Sequence, residues 1–455
     1  MELKRVLDYR GEDRDKLYLG VVGCSLKVKK HRYLLPVFNF IKKGLQEELE
    51  WRTHKNRWDE EIWFFVNCVH KVVGSRAKGF CLGKDYKTFP SRVEATYNKT
   101  WRMLEVLHEL GWVDIVVGGK SSTGFYEKNY LTIVMVGRNI LAMVDNIVGG
   151  VATGASSTSD KTEVTGREYC YDDEVVFIRD RETKREIRLV KNDVYERTAR
   201  IVGAYNKALR NTSIEYKGER MASQQYRRIF TDDYTKGGRL YNEIGGIQTA
   251  PKYMRRCFTI EGEPLAEVDF KAMHPSLLYQ DMYNKDPDLV LGFLSDYEKI
   301  EGKEFDMYPC EDTIKFIELA EGSEDRARRD LVKYATLICL NTRKRESASK
   351  PIRKHINSEG VYGEVDINML VDSIVSHHKL IEGEFFKDKG IYLQNTDSEV
   401  MMEIIDSCLS DGIIVLPLHD GVMCKERDKY KVAKIFKDSW MKIFNDDFFC
   451  EVEVS

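Results

Sequence analysis

Chemistry in this chain is argued most directly from two aspartates, each closing an apolar run. In PLAEVDFKAMHPSLLY (264–279), Leu265, Glu267 and Asp269 alternate with Ala266, Val268 and Phe270, the two-residue period of a strand. Asp269 ends that strand, and past His274-Pro275 an apolar segment can begin a helix with proline in its first turn. A carboxylate at a strand end, beside a backbone carbonyl, is a hard-oxygen ligand suited to Mg²⁺. The plain alternative is an aspartate that caps the following helix. In GIIVLPLHDGVMC (412–424), apolar runs flank His419-Asp420-Gly421, a hairpin pattern with the acid at its tip. An ionised tip between two buried strands is costly unless something neutralises it. A cation shared with Asp269 would do so.

Two further segments offer positive charge. Arg329 and Lys333 stand four residues apart in RARRDLVKYATLICLN (326–341), so both project from one face of a predicted helix. They repel unless an anion such as a triphosphate lies opposite, or solvent screens them. In Thr235-Lys-Gly-Gly-Arg239 the paired glycines allow positive φ and close backbone approach, and the arginine fork can reach a phosphate or a base edge. A simple hairpin turn accounts for that segment equally well.

The elements that must position these residues read as an α+β protein in several parts. The chain has 455 residues, 42% hydrophobic and 32% charged, a globular composition with room for two or three domains. Net charge is −3, so binding to phosphates would come from local clustering rather than a basic whole. No apolar run approaches the roughly 20 residues needed to cross a bilayer. The charged start, MELKRVLDYRGEDRDK, lacks a signal peptide's apolar stretch, which points to a cytoplasmic protein with no membrane partner. Ten cysteines without a CxxC pair point to reduced thiols.

Residues 1–148 form the expected N-terminal module. Helices are predicted over 36–50, 60–73 and 94–110, followed by apolar runs at 112–118 and 130–137 around a polar, glycine-rich turn. Helix, strand, turn, strand is the order of a winged helix, whose third helix and wing contact DNA. Arg92, Lys99, Arg102, Lys120 and Lys128 would be the basic groups offered. A small α+β cap domain is the alternative. The small, polar stretch Gly149–Asp160 predicts a flexible linker or loop, taken as 149–165. Residues 166–230 read as a mostly helical, thumb-like connecting region, with one long amphipathic helix in NDVYERTARIVGAYNKALRN. The motifs themselves occupy 231–455.

Taken in order, Thr235-x-x-Gly238-Arg239, Asp269, Arg329-x-x-x-Lys333 and His419-Asp420 resemble the family-A polymerase superfamily. That group includes DNA polymerase I-type enzymes and single-subunit phage-type RNA polymerases. GGRLYNEIGGIQTAPKYMRRCFTIEGEPLAEVDF is similar in layout to that family's run into its first catalytic aspartate. LQNTDSEVMMEII is similar to its glutamine-bearing helix, which gives Gln394 a template-side role. The resemblance covers roughly 230–430 and implies a right-hand palm and fingers.

It implies further that Asp269 and Asp420 hold two Mg²⁺ ions roughly 3.5–4 Å apart, with Mn²⁺ as a substitute and the Phe270 carbonyl as an extra ligand. One ion would activate the primer's 3′-hydroxyl and the other stabilise pyrophosphate. Arg329 and Lys333 would grip the triphosphate, with Lys333 as proton donor to pyrophosphate. Arg239 would handle the primer terminus, while His419 and Asn341 would flank the substrate. His274, five residues past Asp269, takes the place where DNA polymerases of families A and B set a bulky side chain against a ribose 2′-hydroxyl. An imidazole there can also hydrogen-bond that hydroxyl or pack beneath Pro275. The expectation is a DNA-directed DNA polymerase acting on DNA template, primer and nucleoside triphosphates. Size, module order and the lack of a visible exonuclease suggest, by analogy, replication of a phage or other mobile element.

The pattern departs from the family at three places. Gly421 replaces an acid, Leu337 an aromatic and Asn341 a tyrosine, while DFxxxxPS also resembles the family-B form. Asp59–Glu61 and Asp172–Glu174 spell D-x-E, read as acidic surface rather than an exonuclease site. The alternatives are an RNA polymerase or primase-like enzyme, and a winged-helix DNA-binding replication or regulatory protein with an inactive palm.

Overall fold

The computed structural model describes residues 21–23, 30, 32–48, 58–75, 77–82, 95–117, 120–121, 128–129, 132–153, 174–242, 246–250, 252–309 and 315–455. It is an α+β structure, and the chain divides into two compact units. One comprises Met1–Val175, Asn206–Tyr226 and Asn242–Pro264; the other comprises Val176–Tyr205, Arg227–Tyr241 and Leu265–Ser455. No helix among the described residues is long and apolar enough to cross a membrane.

In the first unit, a four-stranded sheet runs in the order Val21–Gly23, Gly79–Leu82, Thr132–Val136, Val113–Val116. The first pair is parallel and the others are antiparallel. The helix Asp59–Ser75 is buried almost all round, as its apolar text (Ile62, Trp63, Phe64, Phe65, Val66) requires. Glu61 is buried too, which corrects the surface reading of that D-x-E. Its carboxylate accepts the Thr96 backbone N–H at 3.0 Å and the Thr96 hydroxyl at 3.1 Å, tying the helix to the start of Tyr97–Glu109. Asp172 of the other D-x-E lies outside the described residues.

Tyr97–Glu109, Val113–Val116 and Thr132–Val136 follow one another as helix, strand, strand. Two further strands and the helix Arg138–Thr153 complete a larger sheet domain than the winged-helix expectation contained. This last helix takes in residues 149–153 of the stretch read as a linker. Ile140 and Val144, both buried, anchor a helical apolar pattern upstream that carries the glycines along. Residues 154–165 lie outside the described residues. Among the basic groups offered to DNA, Arg102 pairs with Glu105 at 3.3 Å on its own helix.

The span 166–230 is less helical than expected. Its long helix is Asp193–Asn211, but Val176–Arg179, Ile214–Tyr216, Glu219–Arg220 and Tyr226–Thr231 are strands. In Tyr226–Thr231 the inward residues are Tyr226, Arg228 and Phe230. An arginine at the central inward position hides the apolar alternation that marks a strand. Arg228 is only 1% exposed, and its donors are spent on the Gly238 carbonyl (2.7 Å), Thr198 (3.1 Å), Ser398 (2.8 Å) and Glu399 (2.6 Å). Buried charge is tolerated only when so fully satisfied.

The second unit centres on an antiparallel sheet. Residues 265–269 of Glu263–Phe270 pair with Gly421–Lys425, which pairs in turn with Val415–Pro417. On the opposite edge, 268–270 pair with Val452–Val454. The helices Met273–Lys285, Gly390–Ser410 and Lys429–Phe444 pack together here, with Phe270 against Phe436 and Trp440. A smaller sheet sets Tyr226–Thr231 between Asp233–Asn242 and Val176–Arg179. The helix Arg326–Asn341 buries Leu331, Val332, Ala335, Cys339 and Leu340, which turns Arg329 and Lys333 away from the core.

Candidate active site

Strand pairing brings the two aspartates to one place. Asp269 is opposite Gly421 in register, and the Phe270 N–H donates to the Asp420 carbonyl at 3.3 Å. The hairpin closes as its sequence predicts: the Leu418 N–H donates to the Gly421 carbonyl at 2.8 Å, leaving His419 and Asp420 as the two-residue tip. His419 takes a φ of 109°, the positive value that such tight turns need at one central position. Its ring lies 5.9 Å from that of Tyr241.

Asp269 is electrostatically uncomfortable. Burial first, then the charges of Asp420 and Glu267, push its carboxyl up to about 7, against the opposing pull of Lys333. Its Oδ1 is buried without a hydrogen-bond partner. Glu453 is its cross-strand neighbour on the other side. Among the described residues, no group of three or more His, Cys, Asp or Glu is placed to hold a metal ion. A cation here would find the Asp269–Asp420 pair and backbone carbonyls, that of Phe270 included.

Facing Asp269 electrostatically is one cation of Arg326–Asn341, Lys333. Lys333 contributes to the field at Asp269, and its ammonium lies 5.8 Å from the centre of the Tyr308 ring. Arg329 lies 5.9 Å from the same ring. Tyr308 is buried, and its hydroxyl is pushed up by burial and then by Asp420. Arg329 already has an anion opposite. Both its Nη groups donate to Asp306, one at 3.1 Å, and Nη1 reaches the Tyr308 carbonyl at 3.2 Å.

A second charged cluster joins three segments. Arg239 donates from Nε to both oxygens of Asp397 (3.0 and 3.2 Å), and from Nη2 to Oδ2. The same Oδ2 meets His274 Nε2 at 3.0 Å. Asp397 is fully buried on the apolar face of Gly390–Ser410. Burial pulls the Arg239 guanidinium down, but Asp397 and then Asp420 outweigh it and hold it above its usual value. His274 is 7% exposed, and its Nδ1 is buried without a partner. The same Nε2 also lies 3.2 Å from Arg239 Nη2, so the imidazole sits between a group that only accepts and one that only donates.

The remaining expected residues are placed as follows. Gln394 is half-buried, three residues before Asp397 on the same helix. Asn341 ends its helix and donates from Nδ2 to the Leu337 carbonyl at 2.6 Å. The structure thus groups Asp269, Asp420 and Lys333, links Arg239 to His274 through Asp397, and ties Asn341 to its own helix.

Asp397, Asp306 and Tyr308 are absent from the sequence reading. Asp397 left a signal, an acid on an apolar helical stripe between Leu393 and Met401. Asp306 and Tyr308 lie in an irregular segment, 304–309, where no period exists to read.

No family model matches the chain, and no curated protein matches it. Among solved structures, the POL domain of Pol1 from M. smegmatis in complex with DNA primer-template and dNTP is similar over 58% of this chain. The match covers 51% of that chain, about half its length, at 13% identity and a TM-score of 0.29. So loose a superposition establishes neither fold family nor function. The chemistry rests on the residues themselves.

Proposed function

We propose that this chain is a metal-dependent, template-directed nucleotidyltransferase, acting as a DNA polymerase on primed DNA. The observation that carries the reading is the Asp269–Asp420 pair, with one buried, unpartnered oxygen and a carboxyl pushed up to about 7. Two acids forced together in this way are only partly offset by Lys333, and hard carboxylate oxygens suit Mg²⁺ or Mn²⁺. Bound there, such ions supply the positive charge that favours an ionised hydroxyl nucleophile and a departing pyrophosphate.

The chain's own side chains divide the remaining work. Lys333 and Arg329, on one helix face, neutralise a triphosphate, which is electrostatic catalysis by placement. The primer 3′-hydroxyl releases its proton to water, and its oxygen bonds to the α-phosphorus as the bond between that phosphorus and the bridging oxygen to the β-phosphate breaks. Lys333 gives its proton to the leaving pyrophosphate and regains one from water. Arg239 positions the primer terminus, while buried His274 crowds a ribose 2′-hydroxyl and favours deoxynucleotides. Gln394 lies on the template side.

Extension of a labelled primer, with deoxy- and ribonucleotides compared, tests this. Deoxynucleotide incorporation should fall roughly 10³-fold in Asp269→Ala and in Asp420→Ala, each still folded. Ribonucleotide preference or primer-independent synthesis would move the assignment to an RNA polymerase or primase. Tight DNA binding with no synthesis under any divalent metal would end the catalytic reading.

A further inference from the structure

Away from the carboxylate pair, the second unit holds an open cavity of about 560 Å³. Its wall is assembled from the flanks of segments already described. Lys236 lies on the strand of Arg239, Arg343 follows the helix Arg326–Asn341 by two residues, and Tyr392 precedes Gln394 by two. Arg181, Phe386 and Lys387 complete its cationic and aromatic lining.

Four carboxylates line it as well, so formal charge balances and the unspent donors decide what it can hold. Asp180 is engaged by the backbone N–H groups of Glu182 (3.1 Å) and Thr183 (2.6 Å) and by the Thr183 hydroxyl (2.7 Å). Asp232 accepts the Arg181 backbone N–H at 2.8 Å, and Glu182 is exposed. Asp388 sits between two guanidinium groups, with Arg181 at 2.6 and 2.8 Å and Arg343 Nε at 3.0 Å. Phe386 and Asp388 both hold a φ of 57°, in the left-handed region that a bulky side chain such as Phe386 rarely adopts.

Donors remain beyond these pairs. Arg343 is 72% exposed and meets Asp388 through Nε, which leaves its two Nη groups for another anion. Lys387 is exposed. The Tyr392 ring is 46% exposed, with the Lys236 ammonium 6.0 Å from its centre. Cations beside an exposed ring are the combination that holds single-stranded nucleic acid, phosphates on the cations and an unstacked base on the ring.

We infer that this cavity binds the unpaired strand of a nucleic acid, the template ahead of the primer end. Arg343 and Lys387 take phosphates and Tyr392 stacks a base. The direction of the strand rests on the polymerase reading; the binding chemistry does not.

Fluorescence anisotropy without metal or nucleotide tests the inference on two labelled DNAs, one a duplex with a 5′ overhang of about ten nucleotides and one the same duplex blunt-ended. Arg343→Ala/Lys387→Ala should weaken overhang binding about tenfold and change blunt binding less than twofold. Its salt slope on the overhang should flatten by roughly 1.4, because two phosphates of a single strand are no longer neutralised. Tyr392→Phe should bind as wild type, while Tyr392→Ala should lose affinity. Equal loss on both DNAs, or no loss on the overhang, overturns the proposal. So does displacement of the overhang from wild type by free tripolyphosphate at micromolar concentration, which would make the cavity a nucleotide site. Asp269→Ala should keep the full overhang preference, so a failed primer-extension assay leaves this result standing on its own.

Discussion

Asp269 and Gly421 face each other across two antiparallel strands so closely that a Cβ on residue 421 would lie 2.6 Å from Asp269 Oδ1. The glycine that replaces the resembled family's acid is therefore not a neutral loss. Any side chain there must move the carboxylate on which the site depends. Gly421→Ala should reduce primer extension at least tenfold while the fold persists, and Gly421→Glu should not improve on it. Extension rates alongside circular dichroism decide this. Wild-type activity in Gly421→Ala would show that Asp269 does not need its present position.

The raised Asp269 carboxyl has a definite sign in stability. Its folded value, about 7, lies above its value in the unfolded chain, so the folded state takes up a proton more readily. Ionised Asp269 therefore costs stability above pH 7, and that cost is relieved as pH falls from about 7 toward 4. Asp269→Asn should raise Tm at pH 8 by roughly 3 °C and by less than half of that at pH 5. Mg²⁺ should raise wild-type Tm more at pH 8 than at pH 6, and do so less in the variant. A pH-independent difference in Tm between variant and wild type would contradict the assignment.

His378 contributes the opposite slope. Burial first, then His377, lowers it to about 3, and it stays neutral between the Tyr279 hydroxyl (3.3 Å) and the Met307 carbonyl (3.1 Å). With its folded value below the unfolded one, its contribution is present above about pH 6.5 and lost as pH falls toward 3. His378→Gln should flatten the acid limb of the Tm–pH curve. An unchanged acid limb would place the acid sensitivity elsewhere.

Asp306 holds Arg329 where a triphosphate would bind in the proposed reaction. Both partners are about 40% exposed, and such a pair is worth about 1 kcal/mol at most. Asp306→Asn should therefore lower the nucleotide KM by up to about fivefold and leave kcat within twofold. A raised KM would mean that Asp306 orients Arg329 for substrate rather than competing with it.

Asp397 carries more energy. It is fully buried and shared by Arg239 and His274, so Asp397→Ala strands a cation in the interior and should cost about 3 kcal/mol. Arg239→Ala, which leaves His274 on the carboxylate, should cost less. Denaturant melts of both variants check the order, and the reverse order would refute it.

Much of the site's backbone was legible because local patterns encode it. The alternation before Asp269 makes a strand, the apolar runs around His419-Asp420 make a hairpin, and helical spacing turns Arg329 and Lys333 to one face. Where a charged residue interrupts a pattern, reading failed. Arg228 concealed a strand, and Asp397 sat unnoticed in a helix stripe.

What the sequence determined alone was therefore each element's period and the residue at its end, since both follow from backbone geometry within a few residues. Only the tertiary structure decided which charges meet: Asp269 against Gly421 and Asp420, Arg329 on Asp306, Arg239 and His274 on Asp397. Those pairings join residues far apart in the chain. Asp397 is held by Arg239 and His274 because burying that carboxylate alone would cost more than burying the cluster, whereas Asp269 and Asp420 repel and are held together by strand pairing.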